Sequence, residues 1–418
     1  MRHQIQSDDL RAPEMATAIE KCVHCGFCLP ACPTYSLLGE EMDSPRGRIY
    51  LMKNVLEERL DAKDAQPYID RCLGCMACVP ACPSGVEYGD LLVSYRGAQE
   101  ETRRRPPLDA LARKLVIETL PYPNRFRLAA KTGAIGVAIR DALPAAFASM
   151  LSLLPEKLPP RMPLPPVLPA QGERRGVVAL LPGCVQQVLA PEINYAAAQV
   201  LAANGIEVHS PPDAGCCGSI LLHIGAENEA QKIARRNFTQ FPNGIDAIIT
   251  TAAGCGSGIN DYELLFKGER DAERAAAFAD RVMDFSAYLA RLGLRTPAGF
   301  ESERRVVYQD ACHLLHAQGI QSQPRALLQQ IPNLRLLNIA DAGMCCGSAG
   351  AYNIDQPVIA AELGQRKVES ILAAKPDLVA SGNIGCITQL RQQLALIGNP
   401  LPVLHISELL WRAYEGDH

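Results

Sequence analysis

Eight cysteines between Cys22 and Cys82 fall in two copies of one pattern, Cys22-Val-His-Cys25-Gly-Phe-Cys28-Leu-Pro-Ala-Cys32-Pro33 and Cys72-Leu-Gly-Cys75-Met-Ala-Cys78-Val-Pro-Ala-Cys82-Pro83. Thiols this dense serve either a disulfide framework in an exported protein or metal ligation in a reducing compartment. The first fifteen residues carry Asp8, Asp9, Arg11 and Glu14 and no apolar run, which fits neither a signal nor a transit peptide. The most apolar stretch, Ala142 to Leu154, is too short to span a bilayer. A cytoplasmic chain with thiolate chemistry is therefore expected. A length of 418 residues allows two or three domains, and 48% hydrophobic with 21% charged residues is a globular composition. The net charge of -4, with no basic block, argues against nucleic acid as a partner.

The spacing C-x2-C-x2-C-x3-C-P resembles that of two-cluster ferredoxins, in which three cysteines of one copy share a cubane with the fourth of the other. That resemblance implies one 4Fe–4S cluster on Cys22, Cys25, Cys28 and Cys82, and a second on Cys32, Cys72, Cys75 and Cys78. A structural zinc site is the competing reading, but it gathers four ligands around one ion, usually in C-x2-4-C pairs. His24 lies between two ligands whose set is complete without it, so a packing role is expected. Between the copies, Ser44-Pro45 reads as an N-cap and first turn of a helix running to Leu60. A helical insert there resembles the all-helical ferredoxin module of respiratory dehydrogenases. Residues 1–105 are assigned to it.

Seven prolines crowd Pro155 to Pro169, which predicts an extended spacer at a domain boundary. Before it, Leu108 to Leu154 alternates apolar residues with Arg113, Lys114, Arg125, Arg127 and Lys131. Bridging helices with one solvated face are expected there, with a membrane-surface or partner-docking role as the alternative. Residues 106–175 form this linking segment. The remaining eight cysteines form a second repeat. Cys184, Cys216-Cys217-Gly218 and Cys255 in residues 176–300 match Cys312, Cys345-Cys346-Gly347 and Cys386 in residues 301–418. Short β-branched runs (177–181, 206–208, 247–249, then 306–308, 334–339, 378–380) alternate with helical stretches (192–203, 226–241, 324–330, 357–373). That alternation predicts two parallel α/β halves related by a pseudo-two-fold, with cysteine-bearing loops meeting at the carboxyl ends of the strands.

These halves resemble the cysteine-rich domain shared by the catalytic subunits of heterodisulfide reductase, the iron–sulfur subunit of anaerobic glycerol-3-phosphate dehydrogenase, lactate-utilisation proteins and glycolate oxidase iron–sulfur subunits. The runs CVHCGFC, CPTYSLLGEEMDSPRGRIYLMK, CPSGV, AGCCG, CCGSAGAY and NIGC stand in the order of the last family, across nearly the whole chain. The resemblance implies an electron-transfer subunit of a membrane-associated glycolate dehydrogenase complex, peripheral on the inner face of the cytoplasmic membrane. It also implies flavoprotein-type partner subunits, a quinone acceptor, and room for one or two further clusters on Cys184, Cys216, Cys217, Cys255, Cys312, Cys345, Cys346 and Cys386. A lactate or glycerol-3-phosphate dehydrogenase subunit, or a non-catalytic iron–sulfur sensor, are the alternatives. The chain departs from heterodisulfide reductase at Gly258 and Gln389, where those proteins carry a fifth thiol in each half. His313, His316 and Tyr352 near the second site have no expected counterpart in the first, which suggests either packing or a quinone or docking pocket. No nucleotide-binding or hydrolytic signature is present, so no catalytic residue is assigned and hydride chemistry falls to a partner.

Overall fold

A computed structural model describes residues 1–5, 12–100, 102–136, 140 and 142–416; the charged stretch around Asp8, Asp9 and Arg11, and Asp141, lie outside it. The N-terminal part is helical, with helices Ala12–Lys21, Pro33–Leu38, Pro45–Leu56, Ala62–Asp70 and Tyr88–Glu100. Their apolar faces bring Met15, Ile19, Ile49, Met52, Ile69 and Leu91 together around Cys22, Cys72 and Cys78. Ser44 caps its helix as expected, its hydroxyl accepting from the Gly47 amide at 3.0 Å. That helix stops at Leu56, four residues short of the expected end. The Asn54 carbonyl receives the amides of Arg59 and Leu60 in a turn, and Glu58 takes a left-handed conformation that no helix accommodates.

The rest contains two sheets. Strands β1 (Val167–Leu168), β2 (Gly176–Leu181), β3 (Ile206–His209), β4 (Ala247–Thr250) and β5 (Val282–Asp284) lie in the order β1-β3-β2-β4-β5. Strands β6 (Arg304–Gln309), β7 (Leu334–Leu337), β8 (Leu378–Ser381) and β9 (Val403–His405) lie in the order β7-β6-β8-β9. All pairings are parallel except β1 with β3. The four-strand order is thus the same in both halves, and each sheet reverses direction of winding beside its first strand, where a crevice opens at the carboxyl ends. The two halves share one core: Val178, Leu180 and Ile249 of the first sheet join Val306, Tyr308 and Ala380 of the second.

Three differences from expectation concern the connections. The proline-rich segment is extended, but its end pairs as β1, an edge position that tolerates neighbouring prolines. The fourth strand of each half, β5 and β9, is only three residues long, too short to show an alternating pattern. Helices Pro107–Thr119, Pro123–Gly136 and Ala145–Ser152 do more than bridge, since they lie as a cap across loops of both halves. Val116 packs with Ala351 and Ile354, while Phe126 and Ala130 pack with Val188. Among the described residues no helix is long and apolar enough to cross a membrane.

Candidate metal centres and an adjoining cavity

The two ferredoxin-type loops adopt one backbone path. Residues three and five of each copy are left-handed: His24 and Gly26 have φ of 57° and 88°, Gly74 and Met76 of 62° and 59°. Matching turns follow, with Cys32 N bonded to Leu29 O and Cys82 N to Val79 O, each at 3.1 Å. A left-handed non-glycine residue costs about 1–2 kcal/mol, so a strain repeated at both copies points to a loop shaped for something it encloses. Cys22, Cys25, Cys28 and Cys82 line one small cavity, together with Cys78 of the other set, Arg46 and Tyr88. Cys25 is exposed, and Val23 and Phe27 beside it are each 67% exposed. His24 meets Met1 Sδ and the edge of the Tyr50 ring, a packing role.

Cys32, Cys72, Cys75 and Cys78 are all buried. Burial, then the charges of Cys75, Cys72, Cys32 and Cys28, push the Cys78 thiol well above its ordinary pKa. Two arginines that the sequence pattern did not single out balance this set. Arg48, 1% exposed, reaches Cys32 Sγ at 3.8 Å, Thr34 Oγ1 at 3.0 Å, Asp43 Oδ1 at 3.1 Å and the Tyr68 carbonyl at 2.7 Å. Burial opposes its charge, but Cys72, Tyr88, Cys32 and Asp43 together hold its pKa above the ordinary value. Arg96 donates to the carbonyls of Cys72 at 2.7 Å, Ile69 at 3.0 Å and His223 at 3.2 Å. Cys72 is driven up by burial, yet Arg48 and Arg96 outweigh that and lower it. None of the sixteen cysteines is in a disulfide. Among the described residues no group of three or more His, Cys, Asp or Glu side chains is arranged to hold a single metal ion. All-thiol donors on two matching loops have the chemistry of iron–sulfur ligands.

In each half of the α/β part, the loops after the first three parallel strands bring four thiols into a chain. Cys217 accepts from Cys216 and Cys255, which holds its pKa well below the ordinary value, and Cys216 also touches Cys184. Cys346 is lowered in the same way by Cys345 and Cys386, and Cys312 Sγ lies 3.9 Å from Cys345 Sγ. Gly218 and Gly347 turn the chain after each pair at φ of 84° and 87°; a Cβ on Gly347 would lie 2.3 Å from the Ala360 carbonyl oxygen. The first half has no room for a fifth thiol, and in the second a hydrogen-bonded glutamine takes its place. A Cβ on Gly258 would lie 2.1 Å from Ser219 Oγ. Gln389 is tied to the Ala360 carbonyl at 2.8 Å and to Asn353 at 2.5 Å.

The residues singled out near the second site divide by role. His313 Nε2 bonds the Gly74 carbonyl at 2.9 Å and the Tyr352 hydroxyl donates to the Arg71 carbonyl at 2.9 Å, so both clamp the second ferredoxin-type loop. His316 bonds Gly343 O within its own half. Cys75, Leu73 and Ala77 pack directly on Cys312, Cys345 and Tyr352. Tyr352 does have a counterpart: His223 stands six residues after Cys217 as Tyr352 does after Cys346. Its ring lies 5.0 Å from that of His313, and burial, then His313 and Arg96, drive its pKa to about 3. Lys367 is also buried beside the second site, its ammonium donating to the Asp341 carbonyl at 2.6 Å; burial lowers its pKa against the pull of Cys346 and Cys345.

Both four-thiol sets open on a cavity of about 540 Å³. Cys184, Cys217 and Cys255 reach it from one half, Cys312 and His313 from the other, and the helical cap closes it with Leu120, Phe126, Met150 and Leu154.

Comparison with known proteins agrees with this layout. A 4Fe-4S dicluster domain model matches residues 18–86, and a cysteine-rich domain model matches residues 178–260 and 306–391. The glycolate oxidase iron-sulfur subunit of Escherichia coli strain K12 is 35% identical over 385 residues, covering 91% of each chain. The probable glycolate oxidase iron-sulfur subunit of Bacillus subtilis strain 168 is 34% identical over 415 residues, covering 94% of this chain and 93% of that one. A crystal structure of a hypothetical protein from Helicobacter pylori shares the fold, with a TM-score of 0.52 at 10% identity over 99% of this chain and 74% of the other.

Proposed function

This chain belongs to the family of glycolate oxidase iron–sulfur subunits, and from that premise we propose that it relays electrons from a flavin on a partner subunit to a quinone-type acceptor. The two ferredoxin-type thiol sets, Cys22, Cys25, Cys28 with Cys82 and Cys32, Cys72, Cys75 with Cys78, would each hold a 4Fe–4S cluster, which supplies one-electron redox chemistry. Oxidation of a 2-hydroxy acid removes a hydride, which flavin takes up and thiolate-bound iron does not. The chain therefore receives electrons rather than substrate, and glycolate binds elsewhere in the complex.

The residues support one direction of travel. Val23, Cys25 and Phe27 open the first site to a partner surface. Arg48 and Arg96 offset the negative charge of the buried second set. The observation that carries the reading is the packing of Cys75 against Cys312 and Cys345, which shuts water out between the second ferredoxin-type site and the second cysteine-rich half. Leu108, Leu111 and Leu115 are 54%, 55% and 39% exposed on one helix, and Leu128 is 65% exposed on the next. That apolar face supports a position on the inner surface of the cytoplasmic membrane.

The test is the intact complex under anaerobic conditions, with EPR after glycolate addition, for wild type and Cys75→Ala. Glycolate is expected to reduce the iron–sulfur signals of the wild type, and Cys75→Ala to lose iron and one signal. Full cluster content with normal transfer in Cys75→Ala overturns the ligand assignment, and no reduction by glycolate in the wild type overturns the relay.

A further inference from the structure

The relay reading leaves the acceptor's place undefined, and the cavity between the cysteine-rich halves supplies one. Its volume of about 540 Å³ lies within the range of small-molecule sites. No lysine, arginine, aspartate or glutamate is among the described residues that line it. A phosphate, nucleotide or carboxylate ligand would find no counter-charge there, and burying an unpaired charge is prohibitive. Redox-capable thiols from both halves form one wall and leucine, methionine and phenylalanine side chains of the cap form the other. The ligand suited to those walls is uncharged, redox-active, planar at one end and apolar at the other.

We propose that this cavity binds a quinone, its ring against the cysteine loops and its tail along the helical cap; the inference rests on the relay reading for the role of the ligand. The polar groups available are few and specific. His313 lines the cavity, is 7% exposed, and its Nδ1 has no hydrogen-bond partner. Its Nε2 is occupied by the Gly74 carbonyl, so in the neutral ring Nδ1 is an acceptor that a quinol hydroxyl would satisfy. Asn353 and Asn383 also line this wall, with their amide nitrogens donating to Gln389 and to Cys386 Sγ. Reduction takes two electrons, delivered singly from the reduced flavin of the partner, and two protons from solvent, and converts both ring carbonyls to hydroxyls. Leu115 lines the cavity and is also 39% exposed, on the helix that carries the exposed Leu108 and Leu111. A tail leaving beside Leu115 emerges on the apolar face.

The experiment uses the purified complex and decylubiquinone, with bound quinone measured by equilibrium ultrafiltration and extraction. Ala129→Trp and Met150→Trp place bulk in the cavity from two different cap helices, away from the cysteine loops. Iron and acid-labile sulfide content report on folding, and the second variant serves if one fails to fold. Wild type is expected to bind about one quinone per chain, and each folded variant to bind at least tenfold more weakly. Wild-type binding in a folded variant, or no binding by the wild type, overturns the inference. If glycolate reduces the iron–sulfur signals while the variants bind normally, the cavity assignment fails and the relay stands; if quinone binds and is lost in the variants but glycolate reduces nothing, the relay fails and the cavity assignment stands.

Discussion

Replacing Arg48 by Met removes a cation that is fully enclosed beside the second ferredoxin-type site. Arg48 and Asp43 are each 1% exposed and form an ion pair at 3.1 Å. Deleting one member of such a pair costs about 3–5 kcal/mol, because the other stays buried without its counter-charge. Two observations adjust that figure. Asp43 Oδ1 also accepts from Arg71 at 2.9 Å, which retains part of the compensation, whereas the Tyr68 carbonyl and Cys32 lose a donor outright. The expected loss is about 3 kcal/mol, or about 12–24 °C in melting temperature for a unit of about 100 residues. Arg48→Lys keeps charge but not the planar fork that reaches Asp43, Thr34 and Tyr68 together, and should fall between. The assay is anaerobic thermal unfolding followed by circular dichroism, with chelator-detected iron release, on Arg48→Met, Asp43→Asn and the double variant. The double variant should be at least about 1 kcal/mol less destabilised than the sum of the singles, since the residues share one interaction. An Arg48→Met protein that melts with the wild type and keeps its iron refutes the argument.

Gly258→Ala should destabilise the chain by about 1–3 kcal/mol through overpacking against Ser219, measured by the same melt, and Ser219→Gly should rescue it, since the new Cβ also falls 2.4 Å from Ser219 Cβ. Asp261, pushed up to about 7 by burial and by Asp90, is protonated in the folded chain over a range where the unfolded chain, at 3.8, has ionised. Its contribution is complete below about pH 4 and is lost as pH rises through about 7, so Asp261→Asn should gain stability over wild type at pH 8. The gain should be about 2 kcal/mol after allowance for partial exposure, with no gain at pH 4; an equal difference at both pH values would rule the mechanism out. His223, held near 3, works the other way: its neutral ring stabilises the fold above about pH 6.5 and that stability is lost as pH falls toward 3. His223→Phe should therefore show a shallower acid limb in a pH series of melts, and an unchanged limb would count against it.

Much of this was legible in the chain because cysteine spacing is a one-dimensional record of a three-dimensional cage. Cys22, Cys25 and Cys28 line one small cavity from short loops, and His24, Gly26, Gly74 and Met76 are left-handed in the two copies. Strand positions were legible for β2, β4, β6 and β8 because each contains a buried, largely apolar run with no polar alternation. Arg48 and Arg96 were not legible. A buried arginine looks like a surface one until the thiolates and carbonyls it serves are placed around it from residues 16 to 127 positions away. The cap was equally hidden, since a helix with apolar residues on two faces gives no sign of which face covers a cavity and which meets the exterior.

The divergence of the two cysteine-rich halves follows from the same long-range contacts. Both keep four thiols, a left-handed glycine and the same strand order, so the repeat preserves the cage. What differs is what each half touches. The second half presents His313 to the Gly74 carbonyl and Tyr352 to the Arg71 carbonyl, and its Cys312 packs on Cys75. In the first half the corresponding positions are Val185 and His223; both line the cavity, as His313 does, but Val185 has no polar group with which to hold the ferredoxin-type loop. Both halves thus contribute to the cavity wall, and the second half also seats the ferredoxin-type module through His313 and Tyr352. Exchanging positions 185 and 313, with Val185→His and His313→Val together, should loosen the seat without creating a second one, because the Gly74 carbonyl is fixed by the loop that carries Cys72 and Cys75. Faster proteolysis of the linker segment and retained iron in the first ferredoxin-type site would be the expected signature; a module still held as in the wild type would show that Leu73, Cys75 and Ala77 packing alone is sufficient.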